Sequence, residues 1–167
     1  MTAVAARYGR ARAVRWLEAI RENAGSHIYP DNETVVAQVN GGQAELGVNN
    51  HYYWYRLRDE IGRRQIHSAV QFFAPRDPGY VIDVSGAGVL ASSAHKAAAQ
   101  RFVAFLVSRA GQQIIAHSES YEYPLGSGAV TAKPLTSFVS LRPDPISVGR
   151  LGDGSLAITL LRQASLL

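Results

Sequence analysis

The first residues alternate apolar and basic positions with a helical period. Val4, Tyr8, Ala11, Val14, Leu17 and Ile20 recur at intervals of three and four, with arginines on the opposite face. This predicts a helix from about Ala3 to Asn23, ended by Ala24-Gly25-Ser26. A second, short helix should run from an Asn32 cap to about Val39 and stop at Gly41-Gly42. "AELGV", Ala44 to Val48, reads as a strand, and Asn50 stands where a helix over roughly His51 to Gly62 should begin. "QIHSAVQFF" and "YVIDVSGAGVL" are strand-like and separated by the turn "PRDPG". Beyond them, Ser92 or Ser93 should cap a helical stretch in which Phe102, Phe105 and Leu106 form a buried stripe and Gly111 makes a break. Tyr121 to Gly152 is rich in Gly and Pro and reads as irregular, and Asp153 should cap a last helix. Strands alternating with helices predict an α/β layer structure, although four or five strands are few for a complete sheet.

One segment does not obey any of these periods. "NNHYYWY" gathers His51, Tyr52, Tyr53, Trp54 and Tyr55 into consecutive positions, which must point in several directions from a helix. Three uses are open: packing, with Trp54 and Leu57 as the buried stripe; a stacking platform for bases or sugars; or a metal site. The third follows from position. Tyr52 and Tyr53 fall in the first turn of a helix, where unpaired N–H groups and the dipole favour anions. Two phenolates there suit a hard, highly charged cation, with Fe(III) the obvious candidate. Asn32 opens its own helix in a parallel way, so two helix starts led by Asn could hold an oxyanion that completes the coordination.

Composition removes several competitors. At 167 residues, 47% of them hydrophobic and 18% charged, the chain is an ordinary globular protein able to bury a core. The absence of cysteine excludes thiol catalysis, disulfides and thiolate metal sites. The net charge of +4 is spread over arginines interleaved with acids (Arg7, Arg10, Arg12, Arg15, Arg21, Arg56, Arg58, Arg63, Arg64), which reads as solvated helix faces and not as a nucleic-acid surface. The five histidines lack His-x-x-x-His spacing, and Ser85 lacks the Gly-x-Ser-x-Gly elbow, so neither a histidine metal site nor a hydrolase is expected. Gly86-x-Gly88-x-x-Ala91 resembles a dinucleotide fingerprint only formally: the helix starts too late and the acid about 20 residues on is missing. No signal peptide and no membrane-spanning run of apolar residues is read in these 167 residues.

"NNHYYWY", preceded by "ELGV" and followed by "RDPGYVIDVSGAGVLASSAHKAAAQRFVAFLVSRAGQQIIA" and "YEYPL", resembles the ferric-ion-binding proteins of bacterial iron uptake over nearly the whole chain. These are periplasmic or lipid-anchored solute-binding components of ABC transporters. The resemblance implies a type II periplasmic-binding-protein architecture of α/β class, present here as a C-terminal half: most of one lobe and part of the other. It assigns residues 1–73 to the C-terminal lobe, 74–135 to hinge-crossing strands and helices of the N-terminal lobe, and 136–167 to a return segment and terminal helix. It implies Tyr52 and Tyr53 as Fe(III) ligands, and Asn32 and Asn50 as contacts of a synergistic anion, phosphate or carbonate. His51 stands where the family often has another Asn, and suits support of the ligands better than ligation. The implied partner is an ABC transporter permease, and no catalysis is expected. The family's histidine and acidic ligands and its Ser-Gly anion loop lie outside the matching region. A nonfunctional truncated fragment, or a binder of another anionic solute on stacked tyrosines, remains as the alternative.

Overall fold

A computed structural model describes residues 1–126, 128–131 and 133–167. Among them the helices are α1 (Thr2–Tyr8), α2 (Arg10–Ala24), α3 (Asn32–Asn40), α4 (His51–Ile61), α5 (Lys96–Leu106), α6 (Arg109–His117), α7 (Val148–Leu151) and α8 (Ser155–Gln163). No helix among the described residues is long and apolar enough to cross a membrane. The contacts divide the chain into two units. One holds Met1–Pro30, Gln71–Asp83 and Leu141–Leu167, the other Asp31–Val70 and Val84–Ser140. These boundaries report contacts within the chain; the expected division at 73/74 and 135/136 follows the lobes of a longer protein and differs from them.

The first unit is built on α2 and α8. Ala13 and Leu17 of α2 pack with Val4 and Ala5 of α1 and with Leu160 and Ala164 at the end of the chain, Val14, Leu156 and Leu161 closing around them. The expected single helix from Ala3 to Asn23 is in fact two. Gly9 adopts φ 84° and ψ 157°, a conformation essentially reserved for glycine, and turns the chain between α1 and α2. The apolar period continues across that turn, which is why periodicity alone did not show it. Segment 71–83 lies beside 141–146: the Arg76 N–H donates to the Arg142 carbonyl and the Asp144 N–H to the Tyr80 carbonyl, both at 2.7 Å. Arg7 secures both strips, pairing with Asp144 at 2.7 Å and donating to the Arg76 carbonyl at 2.6 Å. Asp153 accepts from the Ser155 N–H at 3.0 Å, so it serves the start of α8 although Gly154 occupies the cap position.

In the second unit α3 packs on α4 and α5 on α6. The α3 cap is Asp31, one residue earlier than expected; its carboxylate accepts from the Thr34 N–H at 2.7 Å, and Asn32 is the first helical residue. Asn40, at the end of α3, clamps segment 65–68: it donates to the Gln65 carbonyl and accepts from the His67 N–H and the Ser68 hydroxyl. Segment 44–48 crosses α3 at Gly47, where a Cβ would lie 2.6 Å from Val35 Cγ1 and 3.1 Å from Val39 Cγ2.

The long helical stretch breaks at Val107–Ser108, not at Gly111. Ser108 caps α6, its hydroxyl accepting from the Gly111 N–H at 3.2 Å. Gly111 is inside α6 because its backbone abuts the end of α5; an added Cβ would run into the Phe105 carbonyl and come within 2.9 Å of Leu106 Cα. The aromatic stripe of α5 is not buried: Phe102 and Phe105 stack on one another, 60% and 42% exposed. Segments 44–48, 65–73 and 80–90, expected as strands, carry no β-ladder among the described residues. A strand needs a neighbour to pair its N–H and C=O groups, and these segments find none in the chain.

Two substitutions test this packing. Leu17→Ala should lower the unfolding free energy by about 2–5 kcal/mol, because the side chain is fully buried between α2 and α8. Gly111→Ala should cost about 1–3 kcal/mol by overpacking the α5–α6 corner. Urea titration followed by helical circular dichroism measures both. A Gly111→Ala variant as stable as the parent chain would refute the close approach.

Candidate metal-binding site

The site is assembled at the start of α4, within the second unit. Asn50 occupies the cap position with extended backbone, as the sequence indicated, but its side chain makes no capping bond. Its Nδ2 instead donates to the Tyr52 hydroxyl at 3.0 Å. The Tyr52 and Tyr53 rings lie with centroids 4.4 Å apart and inclined at 45°, both half-buried. Successive helical side chains diverge by about 100°, but in the first turn both rings reach past the helix end and meet. The Tyr52 phenol is hydrogen-bonded to that of Tyr53, and this bond, with burial, raises its pKa above the ordinary phenol value; the Asn50 amide opposes the rise.

The next turn of the helix backs this pair. Arg56 follows Tyr52 by four positions and Tyr53 by three, the spacing at which helical side chains meet. Its guanidinium lies 4.9 Å from the Tyr52 ring centroid and 5.6 Å from that of Tyr53. It also donates to the Glu119 carbonyl at 3.3 Å, tying the rings to the loop after α6.

The opposite face of α4 is held by a residue that sequence reasoning did not single out. Tyr121 is 2% exposed, and its ring stacks on Tyr55 at 5.3 Å and 15°. Its hydroxyl donates to Asp59, its carbonyl bonds His51 Nε2 at 3.0 Å, and the Lys133 ammonium stands 4.6 Å from its ring centroid. Its backbone has φ 58°, uncommon for a non-glycine residue. Tyr121 lies in "YEYPL", but nothing local in those letters reveals a buried anchor.

His51 is thereby directed at the 121–123 loop. Its ring packs against Tyr52, Tyr55 and Tyr123, at 5.7, 6.2 and 5.3 Å between centroids. Burial pushes the imidazole below the ordinary histidine pKa, and the Glu122 carboxylate partly restores it. Trp54 points elsewhere, donating to Ser68 at 3.1 Å. The buried residue of α4 is Tyr55, not the Trp54 and Leu57 stripe expected from the sequence.

Of the sequence-derived candidates, Tyr52, Tyr53 and Asn50 come together. Asn32 stands at the first position of α3, which packs on α4, but no hydrogen bond joins it to the pair among the described residues. Nor do the described residues contain a cluster of three or more His, Asp or Glu able to hold a metal. An open depression of about 180 Å³, lined by Ala3, Ala6, Arg7, Asp144, Pro145, Ile146 and Arg150, belongs wholly to the first unit and to other residues.

Known proteins match this arrangement over almost the full chain. The "Major ferric iron-binding protein" of Neisseria meningitidis serogroup A / serotype 4A is 34% identical over 158 residues, which are 95% of this chain and 47% of the relative. The "Fe(3+)-binding periplasmic protein" of Serratia marcescens is 31% identical over 159 residues, 95% of this chain and 46% of the relative. The crystal structure of iron-bound HitA from Pseudomonas aeruginosa superimposes with a TM-score of 0.89 at 38% identity, covering 99% of this chain and 52% of that one. The chain therefore spans about half the length of the curated relatives it matches. The superposition bears out the expected fold, part of a periplasmic-binding-protein architecture. Residues 1–137 also match the family described as "Bacterial extracellular solute-binding protein", and it is to this family that the chain belongs.

Proposed function

We propose that the chain carries the tyrosine half of an Fe(III) site in a solute-binding protein that serves an ABC-type iron importer. The observation that carries this reading is the adjacent phenol pair, Tyr52 and Tyr53, meeting at the N-terminal end of α4 with ring centroids 4.4 Å apart. Neutral phenols bind metals poorly, but a trivalent cation displaces the proton and makes each a hard anionic oxygen ligand. The helix start supports negative charge at that point. Asn50 has a second amide N–H beyond the one given to Tyr52, which suits an oxyanion such as phosphate or carbonate bound beside the metal. Asn32, leading α3, is the other proposed anion contact.

The iron is cargo and not a catalytic cofactor. The relatives are named for ferric iron binding, which agrees with a binding role and with no chemistry on the solute. The proposed setting is the periplasm, or a lipid-anchored extracellular position, of the full-length parent, with the importer permease as partner. Hinge closure over the ligand would involve a second set of ligands beyond these two tyrosines.

Two measurements test the reading. Adding Fe(III) with phosphate or carbonate should give a visible tyrosinate-to-iron charge-transfer band, absent in Tyr52→Phe/Tyr53→Phe. A colourless wild type, or colour that persists in the double variant, sinks the iron assignment; a folded chain without colour then favours the nonfunctional fragment or the other-solute reading. Asn50→Ala should weaken the anion dependence of that band by about three- to thirtyfold, the loss expected for one hydrogen bond to a charged group at a partly exposed site. Titrating the band with phosphate measures it.

A further inference from the structure

The two phenols are not equivalent. Asn50 Nδ2 donates to the Tyr52 oxygen at 3.0 Å, and the Tyr52 hydroxyl is itself bonded to the Tyr53 phenol. The polar groups thus form a directed chain from amide to Tyr52 to Tyr53. An amide can only donate from its nitrogen, so it occupies a lone pair of the Tyr52 oxygen and leaves the Tyr52 proton to point onward. The Tyr53 oxygen stands at the end of the chain as the acceptor. Arg56 lies against the two rings and limits their turning independently, at 4.9 and 5.6 Å from the centroids.

We infer that metal attaches first to Tyr53 and second to Tyr52, with Asn50 as the positioning residue that sets this order. The inference rests on the iron reading above and adds a sequence of events to it. In the first step the Tyr53 proton leaves to water as its oxygen bonds Fe(III). The Tyr52 O–H then donates to an anionic oxygen, a stronger bond than one between neutral groups, and holds the half-formed site together. In the second step the Tyr52 proton leaves to water or to the bound oxyanion as the second Fe–O bond forms. Two protons are released in all, and the iron remains ferric.

The raised pKa of Tyr52 agrees with its holding the proton until the metal is in place. The same geometry explains why Asn50 is spared from capping α4: its donor is committed to Tyr52.

The test has a metal-free arm and an iron arm. With tyrosine labelled at 13Cζ, the Tyr52 resonance of the metal-free chain should titrate at lower pH in Tyr53→Phe and at higher pH in Asn50→Ala. An unchanged midpoint in both variants overturns the directed chain. In the iron arm, Fe(III)-nitrilotriacetate and phosphate are mixed with each variant by stopped flow. Tyr53→Phe should slow the first rise of the charge-transfer band by about tenfold or more, while Tyr52→Phe keeps that first rate within about threefold and loses the later phase. The reverse pattern, or equal slowing in both, overturns the order while leaving the iron reading intact. No band in wild type overturns the iron reading and this order with it, and the titration still reports whether the phenols are linked as described.

Discussion

The stacking of Tyr55 on Tyr121 is the contact on which the rest of the site depends. It fixes one face of α4 against the 119–123 loop, and residues four positions apart share that face, so His51 is drawn to the Tyr121 carbonyl as well. With His51 and Tyr55 turned one way and Trp54 bonded to Ser68, helical geometry leaves Tyr52, Tyr53 and Arg56 for the remaining face. A contiguous run of aromatics is awkward for a core helix because it has no single burial direction. Here each direction has its own partner, and the two phenols are what is left over. The unusual φ of Tyr121 is sustained because ring, hydroxyl and carbonyl are each engaged, which over-determines the conformation.

Some of this was legible in the letters. A helix starting at Asn50 with two tyrosines in its first turn follows from the Asn-Asn pair and the position of Gly62, and the structure forms it. The Asn50 side chain took a different task, because a donor to a phenol oxygen is as good a use of an amide as a cap. Elsewhere local signals competed. Asp31 and Asn32 are both good caps, and the earlier one prevailed. Gly111 looked like a breaker, yet the break occurs where Ser108 can cap, and the glycine is needed for close approach. Tyr121 could not be found locally, since its partners Tyr55, Asp59 and Lys133 are brought together only by folding.

The misplaced strands and the exposed α5 stripe have a common physical origin. Extended segments become strands only when neighbours accept their hydrogen bonds, and an amphipathic helix buries its apolar face only against another surface. Leu46, Val48 and Leu90 are 89%, 75% and 74% exposed, and Phe102 and Phe105 stand out from α5. The patterns read from these segments were correct about what they are suited to do. Their partners in the longer relatives would come from outside the matched half, because the chain covers only about half of those proteins. By contrast, the α4 site needs only elements of its own unit, so it forms.

This difference also governs what the phenol pair can achieve. Two phenolates and one oxyanion give Fe(III) fewer ligands than a hard trivalent ion accepts, and solvent would fill the rest. Burial is what strengthens such bonds, by removing competing water and lowering the local dielectric. The pair here is only half-buried, and its neighbour Arg56 is exposed. The positive guanidinium over the rings therefore has a definite role: it favours the phenolates and the anion without competing for their oxygens, which face away from the ring planes. The half-site is arranged to capture a cation in one direction, and retention must come from enclosing it.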